Sequence, residues 1–161
     1  MKVRSVRAFL LCYPFPDPIC LSYYGGERRI VKRDAMLIRV ETGNGLTGYA
    51  PGQGSEKAQR IIERLVAPFL EGKTLADPDA LRVLFALEPG IGPAEMKVYC
   101  SAEVALYDLA GKAAGVPVSE LLGGRVRDTI ALYSSAGMYM PPEGYAREAA
   151  QAKAMGFPAY K

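Results

Sequence analysis

Several residue types that chemistry usually needs are missing from this chain or badly spaced in it. It has 161 residues and no histidine, so a Ser-His or Cys-His catalytic pair is excluded within it. Its three cysteines, Cys12, Cys20 and Cys100, form no C-x-x-C pair. That argues against a thiolate metal site and for thiols in a reducing, cytoplasmic compartment. A hard divalent cation takes several oxygen ligands, and no acidic cluster is spaced to supply them, so no complete metal site is expected within these residues. Gly43-Asn-Gly45-Leu-Thr-Gly48 spells G-x-G-x-x-G, but a dinucleotide site needs that motif to open a helix. Tyr49-Ala50-Pro51-Gly52 follows instead, so the segment reads as a hairpin and nucleotide binding is the weaker reading. Lys161 closes the run Gly156-Phe-Pro-Ala-Tyr-Lys161; taken alone, it reads as a solvated strand end.

The elements around these residues follow from hydrophobic period and punctuation. Val6, Ala8, Leu10 and Cys12 alternate with Arg7, Phe9, Leu11 and Tyr13, a strand covered on much of both faces. Pro14-Phe-Pro-Asp-Pro18 is expected to end it, leaving a long loop from Phe15 to Lys32. Met36, Ile38 and Val40 mark a second strand, Asn44-Gly45 a hairpin turn, and Leu46–Ala50 a third strand that Pro51 stops. A helix from about Ser55 carries Ala58, Ile61, Ile62, Leu65 and Phe69 on one stripe, with Pro68 bending or ending it near Ala67. Asp77-Pro78 caps a second helix with Leu81, Leu84 and Phe85 inward. After Gly92-Pro93 comes a long helix with Val98, Ala102, Ala105, Leu106, Leu109 and Ala113 on one face. Gly115 and Pro117 stop it, and Ser119 caps one further turn. Thr129–Ser135 alternates as a strand. Pro141-Pro142 opens a helix with Tyr145, Ala149, Ala152 and Met155 on one face, and Phe157–Lys161 forms another strand. Strand, helix, strand with one crossover is a βαβ unit and begins a parallel sheet.

Composition narrows the function classes. Half the residues are apolar and 23% charged, with a net charge of +3, a globular balance that does not argue for nucleic acid. Lys2, Arg4 and Arg7 precede an apolar run, Ala8–Cys12, too short for a signal peptide. No span approaches transmembrane length, so neither membrane nor nucleic acid is an expected partner.

The run from Ala102 to Gly124, A-x-x-x-A-L-Y-D-L-A-G-K-x-x-G-x-P-V-x-x-L-L-G-G, resembles the signature of the mandelate racemase/muconate lactonizing enzyme group of the enolase superfamily. Tyr107 stands where that family commonly has Trp. The closing Gly-Phe-x-Ala-x-Lys resembles the start of the family's Lys-x-Lys motif. The resemblance implies an α+β fold. A three-stranded antiparallel meander and a helical bundle form a capping domain over residues 1–125, and residues 126–161 begin a (β/α) barrel. An eight-fold barrel takes about 250 residues, so only its opening is expected here.

The same resemblance implies removal of a proton α to the carboxylate of a small acid, with Mg²⁺ stabilising the enediolate, as in an acid-sugar dehydratase, racemase or cycloisomerase. The metal ligands belong to later barrel strands. Lys161 matches the first motif lysine, which supports the substrate carboxylate. Tyr133 and Ser135 match first-strand positions that touch substrate, and Tyr23 and Tyr24 fall in the segment that is a lid in the family. Asp108 and Lys112, an i, i+4 pair on the signature helix, match family positions and read as structural. Ala50-Pro51 departs from the acidic residue that family members often carry after the third strand. A homo-oligomer is expected. The competing reading is a truncated, non-catalytic α+β module that binds or assembles.

Overall fold

The computed structural model describes residues 1–23, 26–136 and 139–161. Apolar alternation builds three strands, β1 (Val3–Tyr23), β2 (Gly26–Thr42) and β3 (Thr47–Gln53), in sheet order β1-β2-β3. On β2, Met36, Ile38 and Val40 turn inward and are buried. β3 pairs antiparallel with β2, placing Ala50 opposite Ile38 and Gly48 opposite Val40. The Asn44-Gly45 turn joins them, with the Thr42 N–H donating to the Leu46 carbonyl at 2.9 Å and Gly45 at φ 85°.

The prolines do not do what their chemistry first suggests. Pro51 pairs opposite Leu37 instead of stopping β3, and β1 runs through Pro14, Pro16 and Pro18 to Tyr23. The expected loop from Phe15 to Lys32 is therefore a two-stranded arm. Both β1 and β3 are edge strands, and the phase of their outward backbone groups explains the tolerance. The Tyr49 N–H leaves the sheet for Asp108 Oδ2 at 2.9 Å, so Pro51, two residues on, lacks a donor only at the outer edge. On β1 the Val6 N–H goes out to Glu71 at 3.2 Å, and the Ala8 carbonyl accepts from Gln59 at 3.1 Å. Pro14, Pro16 and Pro18 continue that even-numbered phase. Edge prolines so placed leave the ladder intact and discourage a further strand from adding.

Helices cover the inner face. Ser55 accepts from the Ala58 N–H to start α1 (Glu56–Ile61), followed by a π-type turn, Ile62–Val66, and α2 (Ala67–Leu70). In that turn the Ala67 N–H reaches back to the Ile62 carbonyl. Pro68 therefore does not end the helix near Ala67, because the π-type turn accommodates it and α2 runs on to Leu70. The extra residue also shifts the apolar stripe to Val66, leaving Leu65 37% exposed. Asp77 accepts from the N–H groups of Asp79 and Ala80 to cap α3 (Pro78–Ala86). That helix buries Leu81 and Phe85, whereas Leu84 lies to one side and is exposed.

The long helix α4 (Pro93–Ala114) buries Val98, Tyr99, Ala102, Ala105, Leu106 and Leu109 and ends at Gly115, φ 69°. Gly111, not Ala113, closes the buried stripe, because the returning chain brings the Val116 carbonyl 2.9 Å from where a Gly111 Cβ would sit. Pro117, rather than Ser119, holds the cap position of α5 (Val118–Leu121). Phe85 stacks on Tyr99 at 4.4 Å, with Phe69 edge-on to Phe85 at 5.1 Å. Arg82 braces α3 against α4, donating to Asp79 on its own helix and to Glu103 on α4, both at 3.1 Å.

The chain divides into two compact units. One comprises Met1–Tyr13 and Asp34–Gly124 and holds the core just described; the other comprises Pro14–Arg33 and Arg125–Lys161. In the second unit the expected strands Thr129–Ser135 and Phe157–Lys161 shrink to one parallel bridge, Ser134 with Tyr160. Ile130 and Leu132 are 75% and 65% exposed; without apolar cover a longer ladder gains little. The helix α6 (Pro142–Ala154) joins the two bridged segments and buries Gly144 and Ala152, while Met155, expected on the inner face, is exposed. Among the described residues no helix is long and apolar enough to cross a membrane.

Candidate functional site

Three of the residues expected from the sequence, Tyr133, Ser135 and Lys161, lie beside that bridge. The Ser134 N–H donates to the Ala159 carbonyl at 2.9 Å, the Lys161 N–H to the Ser134 carbonyl at 2.9 Å, and the Ala136 N–H to the Lys161 carbonyl at 3.0 Å. This is a parallel ladder in register, so Ser135 and Lys161 are cross-strand neighbours, about 4.8 Å apart along the sheet. Strand alternation places Tyr133, Ser135 and Lys161 on one face and Ser134 and Tyr160 on the other.

The position of α6 distinguishes those faces. The Tyr160 hydroxyl donates to Glu148 Oε2, on α6, at 2.7 Å. Tyr160 therefore looks toward the helix, and alternation turns Tyr133, Ser135 and Lys161 to the face away from α6. All three are exposed, Tyr133 at 52%. The Glu148 carboxylate receiving its proton pushes the Tyr160 hydroxyl up to about 12, so it stays a neutral donor through the ordinary pH range.

Tyr23 is the last residue of β1, in the same compact unit as the bridge; Tyr24 lies outside the described residues. An ammonium, a hydroxyl and a phenol on one open strand face can hold a carboxylate: the amine supplies charge and the two hydroxyls supply donors. The tie between Tyr160 and Glu148 was not visible in the sequence. Its one signal is the odd–even parity of Tyr160 beside Lys161.

Asp108 and Lys112 do something different. Lys112 Nζ donates to Asp108 at 2.7 Å and to the Thr47 carbonyl at 2.9 Å, and Asp108 receives the Tyr49 N–H. The pair thus closes the outer edge of β3 from α4. Burial alone would raise the Asp108 carboxyl, but the Lys112 and Tyr49 hydrogen bonds outweigh it and hold it below the usual range.

Comparison with known proteins bears on the fold. Residues 20–123 match the family model of the mandelate racemase/muconate lactonizing enzyme N-terminal domain. The chain belongs to that family. A member of the enolase superfamily from Polaromonas sp. JS666 is 32% identical with a TM-score of 0.81, over 99% of this chain and 43% of its own. An isomerase-like protein from Sinorhizobium meliloti, seen in an open loop conformation, is 30% identical with a TM-score of 0.81, over 99% of this chain and 45% of its own. A mandelate racemase/muconate lactonizing enzyme-like protein from Roseovarius nubinhibens ISM, complexed with magnesium, shares the fold at 24% identity and a TM-score of 0.78, over 99% of this chain and 43% of its own. The chain thus spans less than half the length of these relatives. Among its described residues no three Cys, Asp or Glu side chains are grouped to hold a metal ion, so these residues by themselves do not fit magnesium.

Proposed function

We propose that the chain is the amino-terminal part of an enzyme that removes the proton α to the carboxylate of a small acid, as an acid-sugar dehydratase or a racemase does. In this reading residues 1–125 are the capping domain and residues 126–161 open the barrel. What supports it is the register of the bridge, which by strand alternation sets Tyr133, Ser135 and Lys161 on one face, away from α6. An α-proton is weakly acidic, and its removal concentrates negative charge on the carboxylate oxygens. A cation and donors already aimed at those oxygens lower the barrier because they need no reorganisation as charge develops. Lys161 supplies the cation, Ser135 and Tyr133 the donors, and Tyr23 and Tyr24 belong to the covering segment.

Magnesium, as in the Roseovarius relative, is the proposed cofactor of the whole enzyme, with ligands from outside residues 1–161. A homo-oligomer is supported by apolar side chains on the outer sheet face, among them Phe9, Leu11, Leu37 and Tyr49, which are 36–52% exposed. Cys20 and Cys100 are exposed thiols, in keeping with a reducing, cytoplasmic setting.

The test uses the full-length protein in D₂O with magnesium chloride and a panel of mandelate and sugar acids, with proton NMR reading the loss of the α-proton signal. At least one acid is expected to exchange, and Lys161→Met to slow that exchange by about 100-fold or more. No exchange anywhere in the panel, or full activity in Lys161→Met, overturns the reading.

A further inference from the structure

We propose that Tyr160 and Glu148 form a positioning pair that sets the direction of Lys161. The inference rests on the reading of Lys161 as a substrate-facing group. Consecutive strand residues project to opposite faces, so whatever fixes Tyr160 also fixes the heading of Lys161. Within residues 1–161, three hydrogen bonds around one bridge hold the segment, and a ladder of that length resists twisting about the strand axis only weakly.

Packing does little either. Ala149, Ala152, Phe157 and Tyr160 line a cavity of about 300 Å³ between α6 and the terminal segment, so the helix presents small side chains where the phenol ring stands. The 2.7 Å hydrogen bond from the Tyr160 hydroxyl to Glu148 Oε2 is the specific contact that remains. A phenol donating to a carboxylate is charge-assisted and geometrically demanding. It anchors the strand on the helix side and turns the next side chain toward Ser135. Tyr160 and Glu148 touch no substrate in this arrangement; they act through Lys161.

The experiment uses the full-length protein with its lysines reductively ¹³C-methylated, and the Lys161 signal assigned by its loss in Lys161→Arg. Tyr160→Phe and Glu148→Ala are expected to move the Lys161 methyl resonance while those of Lys57 and Lys112 stay in place. Glu148→Gln, which keeps an acceptor, is expected to restore it. With the panel acid that exchanges fastest, Tyr160→Phe is expected to lower kcat about tenfold with KM changed less than about twofold. The double variant Tyr160→Phe/Glu148→Ala is expected to do no worse than either single one. An unmoved Lys161 resonance with unchanged kcat in folded Tyr160→Phe makes the contact a structural tie only and overturns the proposal. Should Lys161→Met keep full exchange while Tyr160→Phe still moves the resonance, the functional reading of Lys161 fails and the positioning pair stands.

Discussion

Tyr99 is fully buried, and among the described residues its hydroxyl has no hydrogen-bond partner, although its ring stacks well on Phe85. An orphaned buried hydroxyl costs about 1–3 kcal/mol, while the ring contributes through its area and stacking. Tyr99→Phe keeps the ring and removes the orphan, so stability should rise by about 1 kcal/mol, read from the urea midpoint. Burial, with smaller contributions from Glu103 and Cys100, also pushes the Tyr99 hydroxyl up. Below about pH 10 the phenol is protonated both folded and unfolded, so it adds no pH dependence. Above that, the unfolded chain releases the proton and the folded one holds it, so stability falls as pH rises. Tyr99→Phe should flatten that alkaline fall; an unchanged alkaline limb would show that burial does not shift the group. Gly48 makes the opposite case. A Cβ there would meet the Ala105 carbonyl and come 2.7 Å from Leu109 Cγ, so Gly48→Ala should lose about 1–3 kcal/mol by overpacking α4 on β3.

Elements meet at their edges, and the edges of this sheet are closed by side chains from the helices. Asp108 and Lys112 satisfy the outward N–H of Tyr49 and carbonyl of Thr47, which would otherwise offer a template for strand addition. Asp108→Ala should cost about 1 kcal/mol at pH 7, a charge-assisted hydrogen bond discounted for partial exposure. The carboxyl is held below its ordinary value, so its contribution is present above about pH 4 and is lost as pH falls through the lowered folded value. The variant should therefore show a shallower acid limb in a stability-versus-pH series. Apolar period and cap chemistry made most of this architecture legible: Ser55, Asp77, Asn44-Gly45 and Gly115 stand where their residue types require. What was not legible depends on partners that local pattern does not contain. The residue type of Pro14 or Pro51 says that a donor is missing, but only the neighbour's side of the strand says whether the donor was needed. The π-type turn before Pro68, likewise, moved the stripe from Leu65 to Val66 by one inserted residue. At the candidate site, the parity that puts Lys161 with Ser135 was readable from the strand alternation, while the Glu148 tie needed the helix in place.

At the scale of the molecule, two units of unequal cohesion share one chain. The unit of Met1–Tyr13 and Asp34–Gly124 encloses a continuous apolar core in which Ile38, Val40, Ile62, Leu70, Leu106 and Leu109 are fully buried. The unit of Pro14–Arg33 and Arg125–Lys161 buries few large side chains, leaves Val126, Ile130 and Leu132 65–90% exposed, and carries the cavity beside α6. Local opening free energy tracks apolar burial and protected hydrogen bonds. Two amides in the second unit, Lys161 and Ser134, should therefore open by a sub-global route, while those of Leu106 and Leu109 on α4 should open only with global unfolding. Native-state hydrogen exchange across low urea separates the two. Exchange at Ser134 and Lys161 should be faster by about 100-fold or more, and nearly independent of denaturant, because little surface is exposed when they open. Exchange at Leu106 and Leu109 should steepen with urea toward the global slope. If, as proposed, a barrel completes this unit and covers Ile130 and Leu132, the Ser134 and Lys161 amides of the full-length protein should slow toward the α4 rate. If they remain equally fast there, the bridge is intrinsically mobile. Lys161 could not then be held within the narrow angular range that an oriented charge requires.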